Sequence, residues 1–289
     1  MRISNAALQR RILSDIQDRL VQLARAQQRA STGRRLEKIS EDPTAGASVL
    51  RHDRDLRAIV QYRRNANAVR LRLETEEGVL DQLSDLLERA KELGVTGSSS
   101  NSSAAGRAAS AAEVTQLLEQ ALALGNTRAG NEYIFGGTLV TAPPFQNGSY
   151  VGDTQVRNVE IGSGMLVPNG HTGQEVLVDS GVVSALSALR DALLANDQAA
   201  VAASLSALDD AHTAIQTLTA DVGARMQELD IVLRNHDALE FSLTAQRSEL
   251  ADVPLEEALM DVTTSQAALQ AALQSVARIL STSLAEYLR

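Results

Sequence analysis

Apolar positions along the chain recur with helical spacing. From Leu13 the pattern Leu13, Ile16, Leu20, Leu23, Gln27, Ala30 advances in alternating steps of three and four, a heptad seam flanked by arginines. Ser31-Thr32-Gly33 marks its end. Ser40-Glu-Asp-Pro43 offers a new helix start, with Asp42 as the cap and Pro43 in the first turn. A second long pattern, Val69, Leu73, Glu76, Leu80, Leu83, Leu87, Ala90, is expected to stop at Gly94. A polar turn over 97–103 and a further helix from Arg107 to about Arg128 would complete an antiparallel helical hairpin.

Between Gly136 and Gly181 the grammar changes to that of β-hairpins. Pro143-Pro144, Asn147-Gly148, Gly162-Ser-Gly164 and Asn169-Gly170 punctuate short runs, of which 156–161 and 175–178 read as strands. Tyr133, Phe135, Phe145 and Tyr150 fall just before or inside this stretch, and the reading is a packing node where β meets helix. Helical composition returns after Gly181 and pauses at Asn196-Asp197. A long seam through Met226, Leu229, Leu233, His236, Glu240 and Leu243 then runs to Asp252-Val-Pro254. The last segment gives the cleanest pattern: Leu259, Val262, Gln266, Leu269, Leu273, Val276, Leu280, Ser283, Tyr287. As one helix it would be a rod of about 45 Å, and a rod with so narrow a stripe is marginal alone in water. Both chain ends therefore need partners, either each other or further copies. Gln27 and Gln266 either fix the register of those seams or mark where they meet solvent.

Composition supports a helical core without large rings: of 289 residues 44% are hydrophobic, only 2% aromatic and none is Trp. The absence of Cys removes disulfides, thiolate metal sites and cysteine nucleophiles together. Charge changes the picture more. Residues 1–72 carry 16 Lys+Arg against 7 Asp+Glu, a net +9 within a chain of net −9, whereas residues 205–289 are net −8. A basic N-terminal stretch is the mark of a nucleic-acid surface, or of helices laid against acidic partners in the same assembly. Because the nested pattern brings the two ends back to each other, the second use is favoured; a basic helical nucleic-acid-binding protein is the lesser reading, and no nucleic acid is expected as partner. No run approaches the roughly 18 to 20 apolar residues that cross a bilayer, so membrane insertion is not expected.

Candidate chemistry is sparse. His52, His171, His212 and His236 have no ligand spacing, and Asp209-Asp210-Ala-His212 lacks a third ligand. There is no phosphate-binding glycine loop and no nucleophile elbow. Glu76-Glu77 and Glu256-Glu257 read as solvated helix faces. No catalytic residue, cofactor or metal is expected, and the chain does not read as an enzyme.

Four short motifs, weak singly, are ordered along nearly the whole chain. They are Ser31-Thr-Gly33-Arg-Arg-Leu36 with Ile39-Ser-Glu-Asp-Pro43, Asn131-Glu-Tyr133-Ile-Phe135-Gly-Gly-Thr138, Asp221-Val-Gly223-Ala-Arg225, and the closing Gln266-Ala-Ala-Leu-Gln270 with Ser283-Leu284 to Tyr287-Leu288. In this order they resemble the flagellin superfamily and, within it, the proteins of the hook-filament junction; filament flagellin is the alternative. The resemblance implies a structural subunit, passed through the flagellar type III export system to an extracellular position at the hook-filament junction. Hook-associated protein 1 and flagellin would be its neighbours, a flagellar export chaperone would shield its C-terminal segment, and copies would self-associate in a ring or helical layer. The expected fold is mainly α, an elongated antiparallel bundle or coiled coil of paired N- and C-terminal regions with a small β-hairpin insertion at about 136–182. Residues 1–40 with 253–289 would form the inner assembly layer and 41–252 the helical bundle. The assembly contacts are assigned to Leu13, Ile16, Leu20 and Leu23 at one end and to Leu259, Val262, Leu269, Leu273, Val276 and Leu280 at the other.

Overall fold

The computed structural model describes residues 5–36 and 38–287. They form the helices α1 (Asn5–Thr32), α2 (Pro43–Ser98), α3 (Ala104–Gly125), α4 (Val182–Leu194), α5 (Gln198–Ala251) and α6 (Leu255–Tyr287). Between α3 and α4 lie three antiparallel strand pairs: β1 (Arg128–Ala129) with β2 (Glu132–Tyr133), β3 (Phe145–Gln146) with β4 (Ser149–Tyr150), and β5 (Asn158–Gly162) with β6 (Met165–Pro168). A π-helical segment, Gln174–Asp179, follows them. The architecture is mainly α with a small β insertion, as the sequence pattern predicts.

Local signals set most boundaries. Gly33 takes φ +67 and its N–H donates to Arg29 O at 2.8 Å, ending α1 in the left-handed turn that glycine enters without strain. Asp42 Oδ1 accepts from the N–H groups of Thr44 and Ala45 at 3.1 and 3.0 Å and starts α2. Asp197 Oδ1 does the same for Ala199 and Ala200 at 3.0 Å each, starting α5.

Two boundaries differ from the expectation. Helix α2 does not stop at Gly94 but continues to Ser98. Both glycines in its last turns are places where leucines come close: a Cβ on Gly94 would lie 2.7 Å from Leu205 Cδ2, and one on Gly97 2.5 Å from Leu193 Cδ2. The end of α2 is closed instead by buried Arg107 of α3, whose guanidinium donates to Gly97 O at 2.8 Å, Ser99 O at 3.3 Å and Asn196 Oδ1 at 2.8 Å. The stretch 175–178 is not a strand but part of the π-helical segment. Thr172 and Glu175 cap it reciprocally: Thr172 N–H donates to Glu175 Oε2 at 2.8 Å, and Glu175 N–H donates to Thr172 Oγ1 at 3.3 Å. Successive Val176 and Leu177 are then both fully buried.

The chain divides into two compact units, residues 1–58 with 238–289, and residues 59–237. The division falls within α2 and α5. In the first unit α1 packs on α6, the end of α1 meeting the beginning of α6 through Arg29 and Asp261 at 4.0 Å. Asp53 and Arg247 join α2 to α5 there at 2.6 Å.

The second unit holds an aliphatic core in which Leu73, Leu80, Leu83 and Leu87 of α2 meet Val114 of α3, Leu186 and Leu189 of α4, and Leu208 and Ile215 of α5. Helices α2 and α3 are antiparallel, with Arg89 and Glu113 paired across them at 2.7 Å. Ile134 and Phe135, buried in the same core, anchor the β insertion. Gly137, two residues on, has φ +66, and a Cβ there would overlap the carbonyl oxygen of Asp153. Gly137→Ala is expected to destabilise this unit by about 3 kcal/mol in urea unfolding. Gly148→Ala, at φ +81 but with nothing within 4 Å, keeps the backbone strain alone and should cost about 1 kcal/mol.

Candidate assembly interface

Helices of 28 and 33 residues are about 42 and 50 Å long, with one apolar stripe too narrow to support either alone. Their pairing divides each expected seam in two. Ile16, Leu23 and Ala30 of α1, and Val262, Leu269 and Val276 of α6, are half-buried. Beside them Ala26 and Ala258 are buried, and Ser265 and Ala272 half-buried, so small residues share the contact within the chain equally with the larger aliphatic ones. The alternate positions, seven residues apart, face outward. Leu13 and Leu20 are 59% and 49% exposed, Leu259 and Leu273 51% and 48%, and Gln27 and Gln266 lie on the same exposed stripes. Leu280 lies outside the residues whose side chains are described. Of the ten residues assigned to assembly, five thus face inward and four outward.

The connection between α1 and α2 fastens this pair to the break between α5 and α6. Arg35 N–H donates to Ala251 O at 2.7 Å and Val253 N–H to Gly33 O at 3.0 Å, with Arg34 and Asp252 bridged between them. The Arg35 guanidinium reaches Leu250 O through Nε at 3.1 Å and Nη2 at 2.6 Å, satisfying carbonyls that the last turn of α5 leaves open. The Ser31-to-Leu36 motif therefore has a mechanical role: it ends one helix and caps another about 215 residues away in sequence.

In the second unit the motifs meet at a buried polar centre. Glu76, 1% exposed, accepts from His171 Nδ1 at 2.6 Å and from His171 N–H at 3.2 Å. Arg72 Nη2 donates to Ile134 O, and the carbonyl of Phe135 accepts from Gly173 N–H at 2.8 Å and from Tyr150 Oη at 3.0 Å. Arg225 pairs with Asp221 at 2.6 Å and lies 3.2 Å from His171 Nε2. Burial depresses the His171 imidazole, but the hydrogen bond and charge of Glu76, aided by Asp221 and opposed by Arg225, outweigh it and hold its pKa above the ordinary 6.5.

Glu76 corrects the sequence reading, since it is not on a solvated face. The signal was present: it occupies an apolar slot of the Val69-to-Ala90 seam. His236 does the same in the α5 seam, where it is buried, stacks on Tyr62 at 6.0 Å between ring centroids, and bonds Ile161 O at 2.6 Å.

The basic N-terminal stretch is partly consumed inside the chain. Arg63 meets Asp237 at 3.5 Å, Arg70 meets Asp230 at 2.8 Å, and Arg72 lies 3.9 Å from Glu132. The first two pairs, between exposed side chains, contribute about 0–1 kcal/mol each, so they orient helices more than they hold them. Among the described residues no group of three or more His, Asp or Glu side chains could hold a metal ion, and no helix is long and apolar enough to cross a membrane.

The terminal helices α1 and α6, with their outward leucines, and the long helices α2 and α5 fall largely within the regions that match known proteins. The bacterial flagellin N-terminal helical region matches residues 3–139, and the bacterial flagellin C-terminal helical region matches residues 205–288. The chain belongs to the bacterial flagellin family. Within that family it is similar end to end to Flagellar hook-associated protein 3 of Escherichia coli, at 25% identity over 94% of this chain and 94% of that protein. Flagellin of Halalkalibacterium halodurans matches at 24% identity over 83% of this chain and 81% of that protein. FlgL of Xanthomonas campestris shares the fold at a TM-score of 0.61, with 20% identity, over 68% of this chain and 99% of that one.

Proposed function

We propose that this chain is a structural subunit of the bacterial flagellum, acting as a passive mechanical adaptor at the hook-filament junction. The observation that carries this reading is the likeness over 94% of both lengths to Flagellar hook-associated protein 3. The paired terminal helices, with leucine stripes left outward, supply a physical means of joining copies. In this reading the chain is exported by the flagellar type III system with a chaperone on its C-terminal segment. It then assembles in a ring or helical layer with hook-associated protein 1 on the hook side and flagellin on the filament side. Helices that cannot bury their stripes alone suit such a route, because their ordering cost is met by contacts made on assembly.

The experiment is to label the chain in intact flagella with gold-conjugated antibody and count copies by quantitative immunoblot. A single narrow band at the base of the filament, with a few copies per flagellum, is the expected result. Label along the whole filament, in thousands of copies, would make the chain a filament flagellin instead.

A further inference from the structure

His171 stands at a fork. Its Nδ1 is fixed on Glu76 of α2 at 2.6 Å, so the ring hydrogen on that side points at the carboxylate. Its Nε2 faces two residues of α5, one turn apart and of opposite hydrogen-bonding character. Asp221 Oδ2, an acceptor, lies 3.2 Å away, and Arg225 Nη2, a donor, also lies 3.2 Å away. A protonated imidazole carries hydrogen on Nε2 and can donate only to Asp221. A neutral ring, its single hydrogen committed to Glu76, presents a lone pair at Nε2 and can accept only from Arg225.

We propose that His171 is a proton-operated clamp: protonation commits its Nε2 to Asp221 and deprotonation commits it to Arg225, while the ring's bond to Glu76 and the Arg225 Nη1 bond to Gly170 O at 3.4 Å hold the Asn169–Gly173 strap in both states.

The surroundings fit a two-position device. Gly170, at φ +120, lets the strap lie so close that a Cβ would come within 2.5 Å of Glu76 Oε2. Gly173 N–H fixes the far end of the strap on Phe135 O at 2.8 Å. The charged groups around the ring are Glu76 and Arg72 from α2, Asp221 and Arg225 from α5, and Glu175 from the π-helical segment, itself occupied by Thr172. Arg157 and Glu132 of the β insertion pair with each other at 2.8 Å. Asp221 is half-exposed and Arg225 remains paired to it through Nε at 2.6 Å, so either can serve the ring without leaving the other unsatisfied.

Since the folded chain holds this proton more tightly than a free imidazole, the stabilisation from His171 is complete below about pH 6.5 and disappears as the pH rises through the folded-state value. The clamp is independent of the junction role: a chain placed elsewhere in the flagellum would keep it.

The test is a ring-nitrogen NMR titration of the full-length chain, alone and as Asp221→Asn, Arg225→Gln and Arg225→Lys. Asp221→Asn is expected to move the His171 midpoint down and Arg225→Gln to move it up, with Arg225→Lys between Gln and wild type. In parallel, urea unfolding from pH 5 to 9 should show a stability step at that midpoint which His171→Gln removes. A midpoint that Asp221→Asn leaves unmoved, or that both charge removals move in the same direction, would overturn the proposal. So would a wild-type stability profile without the step.

Discussion

Leu273→Asp is expected to fold like the wild-type chain and to fail to assemble. Leu273 is 48% exposed on α6, on the stripe that the α1–α6 contact leaves outward, so its replacement changes the stability of the free chain by no more than about 0.5 kcal/mol. In an assembled layer the same side chain would be covered. Burying leucine there is worth about 1.5–3 kcal/mol per copy, and an unpaired carboxylate in its place adds several kcal/mol of penalty. The penalty recurs in every subunit of the layer. Unchanged circular dichroism and urea midpoint, together with loss of motility and of the chain from purified flagella, are the expected results. Leu273→Met, similar in volume, restores both. Normal incorporation of Leu273→Asp would show that the outward stripe is not an interface.

Glu76→Ala is expected to be the most destabilising single change in the second unit, by about 3–5 kcal/mol in urea unfolding at neutral pH. The carboxylate is fully buried and holds both the ring and the backbone N–H of His171. Its removal strands those donors, leaves the positive charge of buried Arg72 less balanced, and opens a void beneath the strap. Glu76→Gln keeps the shape and one acceptor oxygen for His171 while losing the charge and the second acceptor, so it should cost less than Glu76→Ala. A Glu76→Ala chain as stable as the wild type would mean that the buried polar centre does not hold the unit together.

The sequence made the helices legible wherever a signal was local. Asp42-Pro43, Gly33, Asn196-Asp197 and Asp252-Val-Pro254 act through their own backbone and caps, and each falls at a helix boundary. What could not be read depends on neighbours distant in sequence. Gly94 and Gly97 look like stops until Leu205 and Leu193 are seen to need the space. The 175–178 run is the exception: its composition is that of a strand, but the Thr172-to-Glu175 cap, three residues long, is a local helix-start signal.

The heptad patterns at the chain ends lie on the helices α1 and α6, but period alone cannot tell which half of a seam meets its own chain. Ile16, Leu23, Val262, Leu269 and Val276 of the assigned residues turn inward, and the contact adds Ala26, Ala258 and Ala272, whose small side chains gave no apolar signal of their own. Glu76 and His171 form the sharpest case. They are 95 residues apart, and only a carboxylate in an apolar slot hinted that a partner existed.

The fastening of Arg35 onto Leu250 also governs the order in which the molecule can complete itself. Its ends are separated by 215 residues, so the closure belongs to the contacts of highest sequence separation in the chain. Closing so long a loop has an entropic cost that grows only logarithmically, but it must be met before any contact of α1 with α6 returns free energy. The 59–237 unit, rich in contacts between successive helices, can form first. The two chain ends are then the last parts to close, and a finished middle waits on them rather than they on it.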